Sequence, residues 1–146
     1  MKKSEHCSAV DMLKSSGLSR TAQRLSVLNI LLKEDKPLNA KEVLDLCQAA
    51  NIKKMNKVTV YRIMESFRSG GIVRELPTES GIKYFEIACR HNPVHPHFYC
   101  RDCGAMACLG PLTASDIWEW FARPHAFRID HISVNITGLC KNCSAK

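Results

Sequence analysis

The sequence predicts an α+β protein: a winged helix-turn-helix over residues 1–87, followed by a smaller mixed unit over residues 88–146. Three observations carry this reading. Apolar residues in the first seventy positions recur at helical spacing. After Gly70-Gly71 the period shortens to the alternation of strands. Histidines and cysteines then crowd the second half, with Cys7 and Cys47 the outlying cysteines.

The elements follow in order. Val10 to Ser16 reads as a short helix ended by Gly17. SRTAQRLSVLNILLKE begins at Ser19 or Thr21 as N-cap, with Leu25, Leu28, Leu31 and Leu32 at helical spacing, and Lys36-Pro37 breaks it. Asn39 caps AKEVLDLCQAA, with Val43, Leu44, Leu46 and Cys47 expected inside. A fourth helix starts near Lys57 and runs to Gly70-Gly71, with Val58, Tyr61, Ile63, Met64 and Phe67 as its apolar stripe. IVREL and IKYFEI are β-rich runs separated by the turn-forming PTESG. In this arrangement the fourth helix is the recognition helix and the hairpin is the wing. In the second unit, FYC and AMACL suggest a hairpin around Cys103-Gly104. LTASDIWEWFA reads as a helix, and AFRIDHISVNITGLC alternates like a strand. This unit has few apolar residues for a core of its own, so it calls for a metal and a partner subunit.

Formal net charge is +7, and it is uneven. Residues 1–80 carry 14 Lys/Arg against 9 Asp/Glu, and residues 51–74 hold six cations with Glu65 the only acid. That distribution fits an anionic partner, nucleic acid first, although a solvated basic face would look the same. No apolar run follows the opening lysines, and no stretch is long enough to span a bilayer, so the expected compartment is the cytoplasm. Thiols stay reduced there, and eight cysteines then suggest metal binding more than disulfides.

The strongest chemical signal is a pair of CxxC motifs, Cys100-Arg-Asp-Cys103 and Cys140-Lys-Asn-Cys143. Each turns two sulfurs toward one ion, and together they make the closed tetrahedral thiolate set of structural zinc. A redox dithiol or buried free thiols are the alternatives. A second constellation is Cys89, His95 and His97. Pro96 keeps the two histidines out of a helix, and an extended segment points both to one face. One thiolate and two imidazoles suit zinc, with a fourth ligand missing locally. No general-base pair or substrate pocket is visible, so a zinc enzyme is disfavoured.

Taken together, Ser19-Arg-Thr-Ala-Gln-Arg24, Thr59-Val-Tyr-Arg62, Gly70-Gly-Ile-Val73, His95-Pro-His-Phe-Tyr-Cys-Arg-Asp-Cys-Gly104 and Gly138-Leu-Cys-Lys-Asn-Cys143 resemble the ferric uptake regulator family of bacterial metal-dependent repressors. The resemblance spans nearly the whole chain. It implies a homodimer with an N-terminal winged helix and a C-terminal dimerisation domain carrying structural zinc at Cys100, Cys103, Cys140 and Cys143. It also implies a regulatory metal site at the hinge between the domains. Here Cys89, His95 and His97 match the zinc-responsive pattern, Glu75 stands at the matching wing position, and the zinc uptake regulator subgroup is favoured. Iron, manganese or peroxide as the input is the alternative. The resemblance assigns double-stranded DNA as partner, contacted through Arg20, Lys57, Thr59, Tyr61 and Arg62, and repression of metal-uptake genes at palindromic operators. The roles of Cys108, His91, His125 and His131 stay open.

Overall fold

A computed structural model of the chain describes residues 7–111, 113, 115 and 133–146. The chain divides into two compact units, Met1–Asn92 and Pro93–Lys146. The division falls later than the expected boundary at 87/88, because the turn after the wing belongs to the first unit. There the Asn92 side-chain amide donates to the Ile87 carbonyl at 2.7 Å, and the Asn92 N–H donates to the Cys89 carbonyl at 2.9 Å.

Four helices open the first unit: α1 (Ala9–Ser15), α2 (Ala22–Lys33), α3 (Ala40–Ala49) and α4 (Lys57–Ser69). Each starts at a side-chain cap that satisfies an orphan N–H of the first turn. Ser8 caps α1, and Thr21 rather than Ser19 caps α2. Asn39 and Glu42 form a reciprocal capping box on α3. Asn56 caps α4, accepting from the Thr59 N–H at 2.9 Å. Gly17, at φ 72°, supplies the left-handed turn after α1.

The strands β2 (Val73–Pro77) and β3 (Lys83–Ile87) pair antiparallel, Glu75 opposite Phe85. A third strand, β1 (Leu38–Asn39), joins the other edge of β3, giving the order β1-β3-β2. The sequence reading missed β1. It is two residues long, and Asn39 serves both as strand end and as helix cap. The core of the unit gathers Leu13, Val27, Leu28, Leu31, Val43, Cys47, Val60, Met64, Phe67, Phe85 and Ile87. The stripe of α4 differs from expectation. Val60, Ile63, Met64 and Phe67 are buried, whereas Val58 and Tyr61 are 58% and 47% exposed. Positions 60, 63, 64 and 67 share one helical face, and 58 and 61 fall off it.

In the second unit, β4 (His97–Cys100) is central. β5 (Met106–Cys108) pairs antiparallel to it and β6 (Asn135–Gly138) parallel, in the order β5-β4-β6. The expected hairpin around Cys103-Gly104 is therefore β4–β5. A short helix, α5 (Lys141–Ser144), follows β6. Gly138 lets β6 approach closely: a Cβ there would stand 3.3 Å from the Phe98 ring. Among the described residues only Tyr99, Cys100, Met106 and Cys143 are buried hydrophobics in this unit. The expected helix over 112–122, apart from residues 113 and 115, and the strand residues 126–132 lie outside the described residues.

Candidate metal centres and nucleic-acid interface

The turn after β4 and the start of α5 place four sulfurs together. The donor atoms of Cys100, Cys103, Cys140 and Cys143 all lie within 4.8 Å of one another. Cys103 Sγ and Cys140 Sγ are 3.8 Å apart. A zinc tetrahedron with Zn–S of about 2.3 Å has edges of about 3.8 Å, so the set fits that ion. The Cys140 N–H donates to Cys100 Sγ at 3.3 Å. Backbone N–H groups of Cys103 and Cys140 hold the Cys100 thiol down at about 6, so it is a ready thiolate.

A second group in this unit is His95, His97 and Cys108, again within 4.8 Å of one another. Register explains it: His97 on β4 stands opposite Cys108 on β5. His95 reaches the same place, its ring centroid 4.4 Å from that of His97. His95 Nδ1 lies 2.8 Å from the Pro93 carbonyl, which can only accept. Nδ1 therefore carries the proton, and Nε2 is the nitrogen with a lone pair to offer a metal. Both histidines are buried. Cys108 was left without a role on sequence, and the strand register is the signal that finds it.

Of the expected set, Glu75 and Cys89 lie in the first unit and His95 and His97 in the second. His95 and His97 share a donor group with Cys108. Cys89 shares one with Cys7 and His91 in the first unit. Cys7 Sγ is 3.2 Å from Cys89 Sγ and 3.6 Å from His91 Nδ1. Burial and the neighbouring Cys89 push the Cys7 thiol up to about 11. Glu75 belongs to no such group among the described residues. Its carboxylate is held by Lys83 at 3.1 Å and Arg68 at 3.5 Å, the cations that flank it across the wing and from α4. Nearby, buried Glu86 pairs with Arg74 at 2.9 Å, and the same guanidinium donates to the Asn92 carbonyl at 2.7 Å.

The basic face is built on α2 and α4. Lys57, Tyr61 and Arg62 are exposed on α4, Thr59 is half-buried in its first turn, and Arg20 is exposed just before α2. A concavity of about 380 Å³ is lined by Ser19, Thr21, Gln23, Arg24, Thr59, Arg62 and Ile63. Arg24 donates to the Ser19 carbonyl at 3.1 Å, and Gln23 to the Lys54 carbonyl at 2.8 Å. Both side chains escaped the sequence reading, because the approach of α2 to α4 is tertiary. Lys54 sits at φ 59°, a left-handed conformation in the turn before α4 that presents its carbonyl to Gln23.

A winged helix with a basic recognition face, joined to a unit carrying two sets of soft metal donors, defines a metal-responsive DNA-binding transcriptional regulator. The chain belongs to the ferric uptake regulator family, whose model matches residues 15–137. It is 32% identical over 142 residues to the ferric uptake regulation protein of Staphylococcus epidermidis, covering 92% of this chain and 94% of that one. The structure resembles the ferric uptake regulator of Vibrio cholerae at TM-score 0.75 and 26% identity, covering 89% of this chain and 98% of that one. It also resembles a zinc uptake regulator complexed with zinc and DNA, at TM-score 0.59 and 27% identity, covering 94% and 91% of the two chains. The chain is accordingly a regulator and not an enzyme. Among the described residues no helix is long and apolar enough to cross a membrane.

Proposed function

We propose that the protein is a zinc-responsive repressor that binds palindromic operators of metal-uptake genes as a homodimer in the cytoplasm. The observation that carries the zinc reading is the His95–His97–Cys108 group, two imidazoles and a thiol within 4.8 Å. The Cys108 thiol beside the two imidazoles is the donor that favours zinc over manganese or iron(II). This reading assigns the exchangeable metal to that group rather than to Glu75 and Cys89, which have other partners in the first unit.

The two donor sets divide the work. Cys100, Cys103, Cys140 and Cys143 would hold a structural zinc that ties α5 to the β4–β5 turn, in a unit whose described residues include few buried hydrophobics. His95, His97 and Cys108 are poised for a metal that comes and goes. A metal held by His95, His97 and Cys108 would supply positive charge and tie β4 and β5 to the segment before them. His95 is pre-oriented by Pro93, and His97 and Cys108 are aligned by strand pairing. DNA contact falls to Arg20, Lys57, Thr59, Tyr61 and Arg62, and Arg24, which lines one concavity with Thr59 and Arg62, joins them in this reading. A two-fold dimer presents two recognition helices to two half-sites at one spacing. The exposed aliphatic side chains of Val94, Leu109, Ile136 and Leu139 supply apolar surface in the second unit for a second copy. If metal favours the form that binds DNA, then DNA raises metal affinity by the same factor.

The test is to select a duplex from a randomised pool in the presence of zinc. Binding is then measured with zinc, iron(II) or manganese(II) under anaerobic, reducing conditions. Zinc should support binding at the lowest free concentration. Equal support by iron(II) or manganese(II) would overturn the zinc reading, and binding that ignores all three would overturn metal control.

A further inference from the structure

We propose that Cys7, Cys89 and His91 form a third metal site, for a thiophilic ion of the zinc(II) or copper(I) class, which clasps the start of α1 to the exit of the wing. The three donors come from opposite ends of the first unit, and their donor atoms lie within 4.8 Å of one another. The sulfurs are 3.2 Å apart, and the Cys7 sulfur is 3.6 Å from His91 Nδ1. A tetrahedral zinc site asks for S···S and S···N separations of about 3.5 to 3.8 Å, so these two separations are close to what the ion needs.

The site is preorganised. Residues 89–92 form a tight turn closed by the bridge between Cys89 and Asn92. The Asn92 amide is anchored on the Ile87 carbonyl, and the Asn92 carbonyl accepts from Arg74. That turn brings His91 back beside Cys89. Cys7 immediately precedes the α1 cap, Ser8, so its backbone is fixed by the helix start. All three residues are half-buried, and Cys7 and Cys89 pack on the apolar core. A concavity of about 250 Å³, lined by Met12, Ser15, Ser16, Gly70, Gly71, Ile72, Ala88 and Cys89, gives solvent access to the Cys89 side.

Two thiols and an imidazole are soft donors. On binding, each thiol loses its proton to solvent. The resulting two thiolates neutralise a divalent ion and leave one negative charge around a monovalent one. Three donors satisfy copper(I), and zinc would keep a position for water. The site shares no residue with the His95–His97–Cys108 group, so it stands whether or not that group is the sensor.

The experiment uses the full-length, reduced protein with its four-cysteine site loaded with zinc. Anaerobic titration with cobalt(II), a spectroscopic stand-in for zinc, should show one more equivalent in the wild type than in Cys7→Ser. The thiolate-to-cobalt charge-transfer band of that equivalent should vanish in Cys7→Ser and Cys89→Ser and persist in His97→Ala. A parallel titration against a copper(I) chelator should show at least a tenfold loss of affinity in the same two variants. Binding in only one arm identifies the ion. His91→Ala, a half-buried position, serves as a second variant, and a metal-free thermal melt checks that each variant is folded. Unchanged equivalents, band and copper(I) affinity in folded Cys7→Ser and His91→Ala would overturn the proposal.

Discussion

Replacing Arg62 with alanine should weaken DNA binding in a way that salt reveals. Arg62 is exposed on α4, beside the concavity it lines with Arg24 and Thr59. With Arg20, Arg24 and Lys57 it makes four cations on the face formed by α2 and α4. Each phosphate neutralised contributes about −0.9 to the slope of log K against log salt, so four such contacts give about −3.6 per chain. Between 50 and 200 mM salt that slope corresponds to roughly a hundredfold loss of affinity per chain. Removing one phosphate contact should flatten the slope by about 0.9 per chain and weaken binding to unrelated duplexes by a similar factor. If Arg62 instead reads a base, the slope stays and discrimination falls by about 1–3 kcal/mol at one base position. Fluorescence anisotropy with a selected and a scrambled duplex at several salt concentrations separates the two. A variant with unchanged slope, affinity and discrimination would refute the placement of the interface on this face.

Arg74→Met removes the guanidinium paired with the buried Glu86 carboxylate, whose side chain is 1% exposed, and should cost about 3 kcal/mol in urea unfolding. The double variant with Glu86→Gln should recover part of that loss. Cys47 lies fully buried in α3, and burial pushes its thiol up. The folded state therefore holds the proton more tightly than the unfolded state does. The stability from this difference is present below the unfolded thiol value of about 8.5 and declines as pH rises above it. Wild type should lose more stability than Cys47→Ala between neutral pH and about pH 10, and Cys47 should resist alkylation until the protein unfolds. Cys103→Ser should release zinc from the four-cysteine group and unfold the second unit. Retained zinc and unchanged circular dichroism would show that this group is not structural.

Much of the first unit was legible in the sequence, because caps and periodicity are local. Asn39 and the Gly70-Gly71 boundary announce themselves within a few residues of the elements they end or begin. Val58 misled, since an apolar residue in the first turn of a recognition helix looks like core until the neighbouring helices fix which face is inside. The two CxxC motifs are local pairs, and their joining required only that the chain return. The Cys7–Cys89 contact spans 82 positions and has no local signature. The sequence left the role of Cys108 open, and its register opposite His97 is a non-local fact.

The central claim is that metal at His95, His97 and Cys108 controls DNA affinity separately from the metal that holds the fold. It is tested most directly by measuring operator affinity of wild type and His97→Ala, each with its four-cysteine zinc intact, across buffered free zinc. Wild type should gain at least tenfold in affinity as free zinc rises, whereas folded His97→Ala should stay at the low, zinc-independent value. Equal zinc-dependent gains in both proteins would contradict the account.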